Sequence, residues 1–453
     1  MIFLPSFLRV RCRVAEVAPL AREADARNSL LPDRKKLFAM MRGMSSSRRY
    51  ERTLVGILFL TWGTVFLDRM SPLYLAPYFA PEFHLSNAQI GTLASVLAIA
   101  WAASTFFFGA LSDRVGRKRV LVPAVLVFSI LSWMTGWAHS FHQLLWIRGL
   151  MGLAEGPTWS IMTALIEESS ELRRRGRNIG LVVSAAALVG LAAAPVLTTQ
   201  IAARWGWRSA FFLAGVPGFL MGALIWKFVK EPAHAENVNH EKPTLQDYVS
   251  ILRYRNMWLC CLGTTGFMSW LFALNVFAPL YITAVAHESA TRAGWLLGAS
   301  GLGSFFLGFL LPSLSDRVGR RPVLLFSAAA SAVIPLAFLL PVLYVYPLLL
   351  AAIVFVTNSG QGMASLLMVL VPTESVPPQF RATSIGLATL VGEIFGATAA
   401  PIVAGNLAEK YGLSLSMWMA AAGSAVVFLV SLFIRETNQR QEVIGARNHS
   451  IVE

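Results

Sequence analysis

LSDRVGRK, Leu111 to Lys118, returns as LSDRVGRR, Leu314 to Arg321, with seven of eight residues unchanged at an offset of 314 − 111 = 203. Each copy is a polar island between two apolar runs. A second echo follows, where Glu168, Arg175 and Gly180 reappear as Glu374, Arg381 and Gly386 at an offset of 374 − 168 = 206, again just before an apolar run. Repetition at this spacing predicts a chain made of two related halves.

Composition says what the halves are built from. Hydrophobic residues fill 56% of the 453 positions and charged ones 14%, with a mean hydropathy of +0.59. A bilayer core of roughly 30 Å takes about 20 apolar residues per helix and tolerates no unsatisfied backbone. Twelve runs qualify, near 54–79, 88–111, 119–138, 141–165, 178–200, 208–229, 257–283, 293–314, 322–343, 346–371, 382–406 and 412–434. The expectation is an all-α integral membrane protein, with twelve transmembrane helices in two pseudo-symmetric six-helix bundles, 54–229 and 257–434, around a central cavity. A cytoplasmic linker over 230–256 joins them, with a basic, disordered cytoplasmic extension at 1–53 and a cytoplasmic tail at 435–453. The apolar start, MIFLPSFLRV, is broken by Pro5 and followed by RCR, so it does not read as a signal peptide; Met40, Met41 and Met44 leave a later start open.

A formal charge of +14 raises nucleic-acid binding in a soluble chain, so the placement of Lys and Arg decides. With the N-terminus in the cytoplasm, Arg114, Arg117, Lys118, Arg119, Arg173, Arg174, Arg175, Arg177, Arg317, Arg320, Arg321 and both tails gather on the inner face. Basicity is therefore a topology signal, and no nucleic acid is expected as a partner. The chain reads as a multi-pass protein of the plasma membrane, the inner membrane in a Gram-negative cell, and as a monomer whose partners are lipid and a small solute. Cys12, Cys260 and Cys261 form no disulfide framework or metal spacing. No phosphate loop, metal cluster or catalytic motif is present, so the expected energy source is an ion gradient, and neither an enzyme nor a cofactor is expected.

In the repeated loops, Gly116 and Gly319 permit the tight turn that a short inter-helix connection needs. Asp113 and Asp316 are placed to cap a helix end and pair with Arg114, Arg117, Arg317 or Arg320. A structural latch between helices is the first reading, and a part in substrate binding the second. GALSDRVGRKRVLV, Gly109 to Val122, resembles the loop between the second and third helices of the major facilitator superfamily, with Ser313 to Leu325 as its partner copy. That resemblance covers nearly everything after about Thr53. It implies two bundles rocking about a central cavity, with the loops holding one of the alternate states. Pro312 stands where the second copy would match Gly109.

Charge inside the spans is sparse: Asp68 and Arg69 in the first, Arg148 and Glu155 in the fourth, Glu393 in the eleventh. A lone charge there costs about 2.5–3.5 kcal/mol or more, so each needs a partner or water, and two acids with two bases can neutralise each other. Arg148 and Glu155 are seven residues apart, about 10.5 Å along one helix face, whereas adjacent Asp68 and Arg69 diverge by about 100°. Gly149, Gly152 and Gly156 thin the fourth helix for a close neighbour or a ligand, and Pro157 weakens it near Glu155.

RGLMGLAEGP (Arg148 to Pro157), FLDR before it and WGWRSAFF (Trp205 to Phe212) resemble the anion:cation symporter branch of the superfamily, which carries sugar acids and other organic anions. The resemblance implies protonation at Asp68 and Glu155, with Arg69 and Arg148 as charge partners or as the groups facing a substrate carboxylate. A common Pro later in the fourth-helix motif is Ser160 here. An acid moved between a dry setting and the neighbourhood of a guanidinium changes its proton affinity, which couples protonation to bundle movement. The alternative is a set of static buried salt bridges fixing the first helix to the fourth.

Glu393, between Gly392 and Gly396, is expected to face the other bundle as a second proton site, a substrate contact or a helix-helix hydrogen bond. Asn275, Asn358 and Gln361 are uncharged candidates for the cavity wall or for interhelical bonds, and Trp62, Tyr74 and Trp159 for stacking on an aromatic ligand or for packing. Three functions follow: proton-coupled symport of a small organic anion, with sodium as the other possible ion; proton-coupled export of a drug or metabolite, for which Gly190 with Ala194-Pro195 is a degenerate signal; and a transporter-like sensor or scaffold without flux.

Overall fold

The computed structural model describes residues 34–231, 250–377 and 380–437. Much of the expected extension, linker and tail lies outside these residues. The chain divides into two units, Met1–Thr53 and Leu54–Glu453, and the second holds the helices that matter for function.

Among the described residues there are twelve long helical segments and no strand. They are α1 (Arg34–Glu82, apolar over Arg48–Glu82), α2 (Asn87–Val115), α3 (Arg117–Gly136), α4 (Phe141–Ser169), α5 (Leu172–Ala185 running on to Ala194–Trp205) and α6 (Trp207–Phe228). Then follow α7 (Arg255–Ala284), α8 (Ala290–Val318), α9 (Arg320–Phe338), α10 (Pro347–Thr357 continuing in pieces to Val371–Ser375), α11 (Arg381–Val391 running on to Ala400–Tyr411) and α12 (Ser414–Phe433). Eleven are long and apolar enough to cross a membrane. The exception, α4, has 29 residues and carries Arg148, Glu155, Glu167 and Glu168, which lower its hydropathy. The ninth helix ends at Phe338 rather than near 343, because Leu339, Leu340 and the single turn Pro341–Tyr344 close the connection.

Local chemistry sets the helix ends. Ser86 accepts from the Gln89 amide while the Gln89 side chain accepts from the Ser86 amide, a reciprocal cap on α2. Ser289, 203 residues on, caps α8 by accepting from the Arg292 amide at 3.2 Å. At the other end of the same helices, Gly116 and Gly319 turn the chain with φ of 117° and 113°, a conformation that essentially only glycine adopts. The tight turns expected of the repeated loops are therefore present.

Within the first six spans α2 packs on α4 and α3 on α6; within the last six α12 packs on α7 and α9, and α8 on α10. The two sets meet through α2 against α11 and α5 against α8. These crossings are very close. A methyl at Gly91 of α2 would fall 2.2 Å from the Pro401 carbonyl oxygen of α11, and one at Gly294 of α8 would fall 2.5 Å from that of Pro195 in α5. The two contacts are copies: 294 − 91 = 203 and 401 − 195 = 206, the offsets of the two sequence echoes. Ser95 strengthens the first by donating to the Thr398 carbonyl at 2.6 Å, and Asn87 N donates to Glu409 at 2.8 Å. All of these atoms lie toward the end of the molecule opposite the arginine-rich loops.

Both α5 and α11 widen into a π-helical stretch before their proline, Ala186–Ala193 and Gly392–Ala399. Pro195 and Pro401 remove an amide from the helix ladder, and a wider turn rearranges the carbonyls left behind. The second stretch contains Glu393.

Candidate functional site

The five charged residues of the spans are all buried and belong to one neighbourhood. Adjacent Asp68 and Arg69 point apart, as helix geometry requires. Asp68 is influenced by Ser132 of α3 and Arg148 of α4. Arg69 turns toward the last six spans, where its Nη2 lies 3.6 Å from Glu393 Oε2 of α11. Around its guanidinium stand Phe66 of α1, Trp101 of α2 and Phe272 of α7, with ring centroids at 5.7, 5.1 and 5.5 Å, close enough for cation–π attraction.

Arg148 donates to the Arg69 carbonyl at 3.0 Å and contacts Met151 Sδ at 3.4 Å. Glu155, two turns further along α4, shares an electrostatic neighbourhood with Asp68, Arg69 and Arg148. Charges of the first and fourth helices act on one another: Arg148 on Asp68, and Arg69 and Arg148 on Glu155. Among the described residues the ion pair of Arg69 is with Glu393; its charge also acts on Glu155 of α4, and its backbone carbonyl receives Arg148. Both oxygens of Asp68 and of Glu155, Arg69 Nε and Nη2, Arg148 Nε, Glu393 Oε2, Trp62 Nε1 and Trp101 Nε1 are buried without a hydrogen-bond partner in the protein. Buried polar atoms are nearly always partnered, by protein or by ordered water, so this concentration singles the neighbourhood out as the candidate site.

The glycines of α4 serve its neighbour α2. A methyl at Gly152 would fall 2.4 Å from the Leu97 carbonyl oxygen, and one at Gly156 would meet Ser104 at 2.5 Å. Pro157 cannot donate to the Leu153 carbonyl four residues back. Ser104 of α2 supplies the missing donor at 2.5 Å, and Thr105 donates to the Gly156 carbonyl at 2.9 Å. The helix therefore runs unbroken past Pro157 to Ser169, and Glu155 is held on a rigid element.

The uncharged candidates divide. Asn275 of α7 accepts from the Tyr74 hydroxyl of α1 at 3.1 Å, tying the two sets of spans beside the charged cluster. The same hydroxyl lies 3.3 Å from the Gly190 carbonyl in the π stretch of α5. Asn358 is engaged by the break in α10, accepting from the Gly360 amide at 3.0 Å and donating to Ser300 at 2.7 Å. Gln361 gives its amide to Ser304 at 3.2 Å and lays its side chain against Gly308. Trp62 and Trp159 pack on each other with tilted rings, 5.0 Å between centroids and 37° between planes, and Trp159 is half-buried.

The repeated loops form their own network away from this cluster. Arg117 pairs with Glu168 at 2.8 Å; its counterpart Arg320 pairs with Glu374 and Asp316, each at 2.7 Å. The second sequence echo thus supplies the acids for the first. Glu231 accepts from the Arg117 amide at 2.5 Å and Glu436 from the Arg320 amide at 2.8 Å, so each caps the helix that follows its loop. These two glutamates were not singled out by sequence reasoning. Their signal was present, since each follows the last apolar residues of a half, in VKEP and IRET, at an offset of 436 − 231 = 205. Arg114 and Arg317 are exposed at the loop surface, and Gly109 and the Asp113 side chain lie outside the described surroundings.

Comparison with known proteins agrees with this architecture. A family model described as Major Facilitator Superfamily matches residues 57–397 and 289–451. The chain is 29% identical over 79% of its length to a probable 4-methylmuconolactone transporter of Cupriavidus pinatubonensis, covering 83% of that protein. It is also 29% identical over 78% of its length to a cis,cis-muconate transport protein of Acinetobacter baylyi, covering 87%. Its fold matches a bacterial homologue of the human lysosomal transporter Spinster, crystallised inward-facing and unoccupied, with a TM-score of 0.69 and 19% identity over 84% of this chain and 97% of that one. With its helical membrane fold, internal repeat and paired loops, the chain belongs to the Major Facilitator Superfamily and is a multi-pass membrane transporter.

Proposed function

We propose that the protein is a proton-coupled symporter of a small planar organic anion, an unsaturated or aromatic carboxylate, working by alternating access. The observation that carries this is Arg69: a buried guanidinium with unfilled donors, ringed by Phe66, Trp101 and Phe272 from both sets of spans. Trp62 Nε1 and Trp101 Nε1 add further unfilled donors. A carboxylate supplies acceptors to such donors, and a flat unsaturated body suits aromatic walls. The named substrates of the two relatives, cis,cis-muconate and 4-methylmuconolactone, are unsaturated and support the same class.

Asp68 and Glu155 are the proton carriers in this reading. They sit beside Arg69 and Arg148, and both oxygens of Glu155 are buried without a hydrogen-bond partner in the protein. An anion on Arg69 together with protons on the acids brings the loaded site toward neutrality, whereas a half-loaded site keeps a buried charge that opposes reorientation. Positive charge on the loops sets the arginine-rich end, and both termini, in the cytoplasm of a plasma membrane. The close α2–α11 and α5–α8 crossings then hold the outer side together, and the Arg117–Glu168 and Arg320–Glu374 pairs lie on the cytoplasmic side.

The test is protein in liposomes with an internal pH dye, given inward gradients of cis,cis-muconate, benzoate or D-glucuronate, in sodium and in sodium-free buffer. Proton entry driven by the two unsaturated acids, independent of sodium and lost in Asp68→Asn and Glu155→Gln, is expected. Proton movement only against an opposing flow of a cationic drug would replace symport with export. Unchanged flux in both variants would return the two acids to a structural role.

A further inference from the structure

Glu393 is the feature this reading leaves over. It stands on the π-helical stretch of α11, in the last six spans, yet its nearest cation is Arg69 of α1, in the first six. Their side chains are 4% and 7% exposed, so solvent does little to screen the pair. At 3.6 Å the contact is an ion pair but not a hydrogen bond. Arg69 Nε and Nη2 and Glu393 Oε2 all remain without hydrogen bonds. A buried arginine and carboxylate ordinarily close to a bidentate contact. This pair is held short of that, with Gly392 and Gly396 packed against Thr264 and Met268 of α7 and the guanidinium held among three rings.

Resting on the anion reading above, we propose that Glu393 is a tethered competitor for the substrate: it provides the carboxylate for Arg69 when the site is empty and is displaced when a substrate carboxylate arrives. Charge follows directly. The empty site holds the neutral Arg69–Glu393 pair. When an incoming monocarboxylate takes Arg69, Glu393 is left as an unpaired buried anion and takes one proton from solvent, so Arg69, the substrate and protonated Glu393 again sum to zero; a dicarboxylate such as cis,cis-muconate brings one further negative charge, which a proton on Asp68 or Glu155 meets. An anion without that proton leaves one negative charge buried. Arg69 is the charged group acting on Glu393 among the described residues; it also acts on Glu155 of α4, while Asp68 is acted on by Arg148. The pair also joins the two sets of spans, so its exchange for substrate is felt by the interface that must move.

The experiment is titration of purified protein with cis,cis-muconate and with benzoate, followed by intrinsic tryptophan fluorescence and, in weak buffer, by a pH dye. Glu393→Gln keeps the shape and removes the competing charge. It is expected to bind the anions at least about 10-fold more tightly than wild type and to take up one proton fewer per anion. Glu393→Asp, a shorter acid that keeps the charge, is expected to retain the proton and serves as the check that substitution at this position leaves the site folded. Equal or weaker binding by Glu393→Gln, or undiminished proton uptake on its binding, while wild type and Glu393→Asp bind, would overturn the inference alone. If wild type binds neither acid, the anion reading falls and this inference with it.

Discussion

The crossings of α2 with α11 and of α5 with α8 make the state seen here conditional on two glycines. A methyl group at Gly91 would lie 2.2 Å from the Pro401 carbonyl oxygen, a backbone atom in a packed helix that cannot swing aside. Carbon and oxygen not bonded to each other need about 3.3 Å, so α2 and α11 must separate by roughly 1 Å at that point. Overpacking of this kind costs about 1–3 kcal/mol, and a bias of that size moves a two-state equilibrium about 5- to 150-fold. Gly91→Ala should therefore shift the protein away from the state with these ends together. Gly294→Ala, at 2.5 Å from the Pro195 carbonyl, should do the same through the symmetric crossing. Spin labels at His84 and His287, exposed in the α1–α2 and α7–α8 connections, report the separation directly by pulsed electron resonance, with Cys12, Cys260 and Cys261 replaced by Ala. A short distance should dominate in the parent and a longer one in either variant. An unchanged distance distribution in both variants, with the protein folded and monodisperse, would refute the idea that these contacts hold the closure.

Two further outcomes follow from hydrogen bonds that only the fold creates. Ser104→Ala leaves the Leu153 carbonyl, which Pro157 cannot serve, without its donor and should destabilise the protein by about 0.5–1.5 kcal/mol, read as a lower midpoint of thermal unfolding, while Thr105→Ala, which removes a bond to a carbonyl with less need of it, should cost less. Glu231→Gln and Glu436→Gln weaken the acceptors that cap α3 and α9; hydrogen exchange should quicken at the amides of Arg117 and Lys118 in the first variant and of Arg320 and Arg321 in the second, each without effect on the other loop.

Much of the architecture was legible because it rests on local chemistry. Apolar runs of membrane length must be helices, since a lipid-exposed backbone has no other way to satisfy its amides and carbonyls. Gly116 and Gly319 had to turn the chain because no other residue adopts that φ without strain. The repeat announced the symmetry, and its offsets reappear as the Gly91–Pro401 and Gly294–Pro195 crossings. Charges inside spans were conspicuous for their expense, so Asp68, Arg69, Arg148, Glu155 and Glu393 were all found from sequence.

Tertiary structure alone decided which of those charges meet. One residue of rotation sends Asp68 toward α3 and α4 and Arg69 toward α11, and no periodicity reveals which neighbour stands on which side. The pairing of Arg69 with Glu393 spans 324 positions (393 − 69), and it arises from the way α1 and α11 are brought together, not from any spacing. In the same way Asn358, a plausible wall residue by its polarity, is engaged by the break in its own helix, and Ser104 proves to be the missing half of a proline's hydrogen-bond ladder on another helix. Sequence determines what each segment must be in a membrane, because backbone satisfaction and hydrophobicity are local; the choice of partners among buried polar groups is set by helix rotation and packing, which are not.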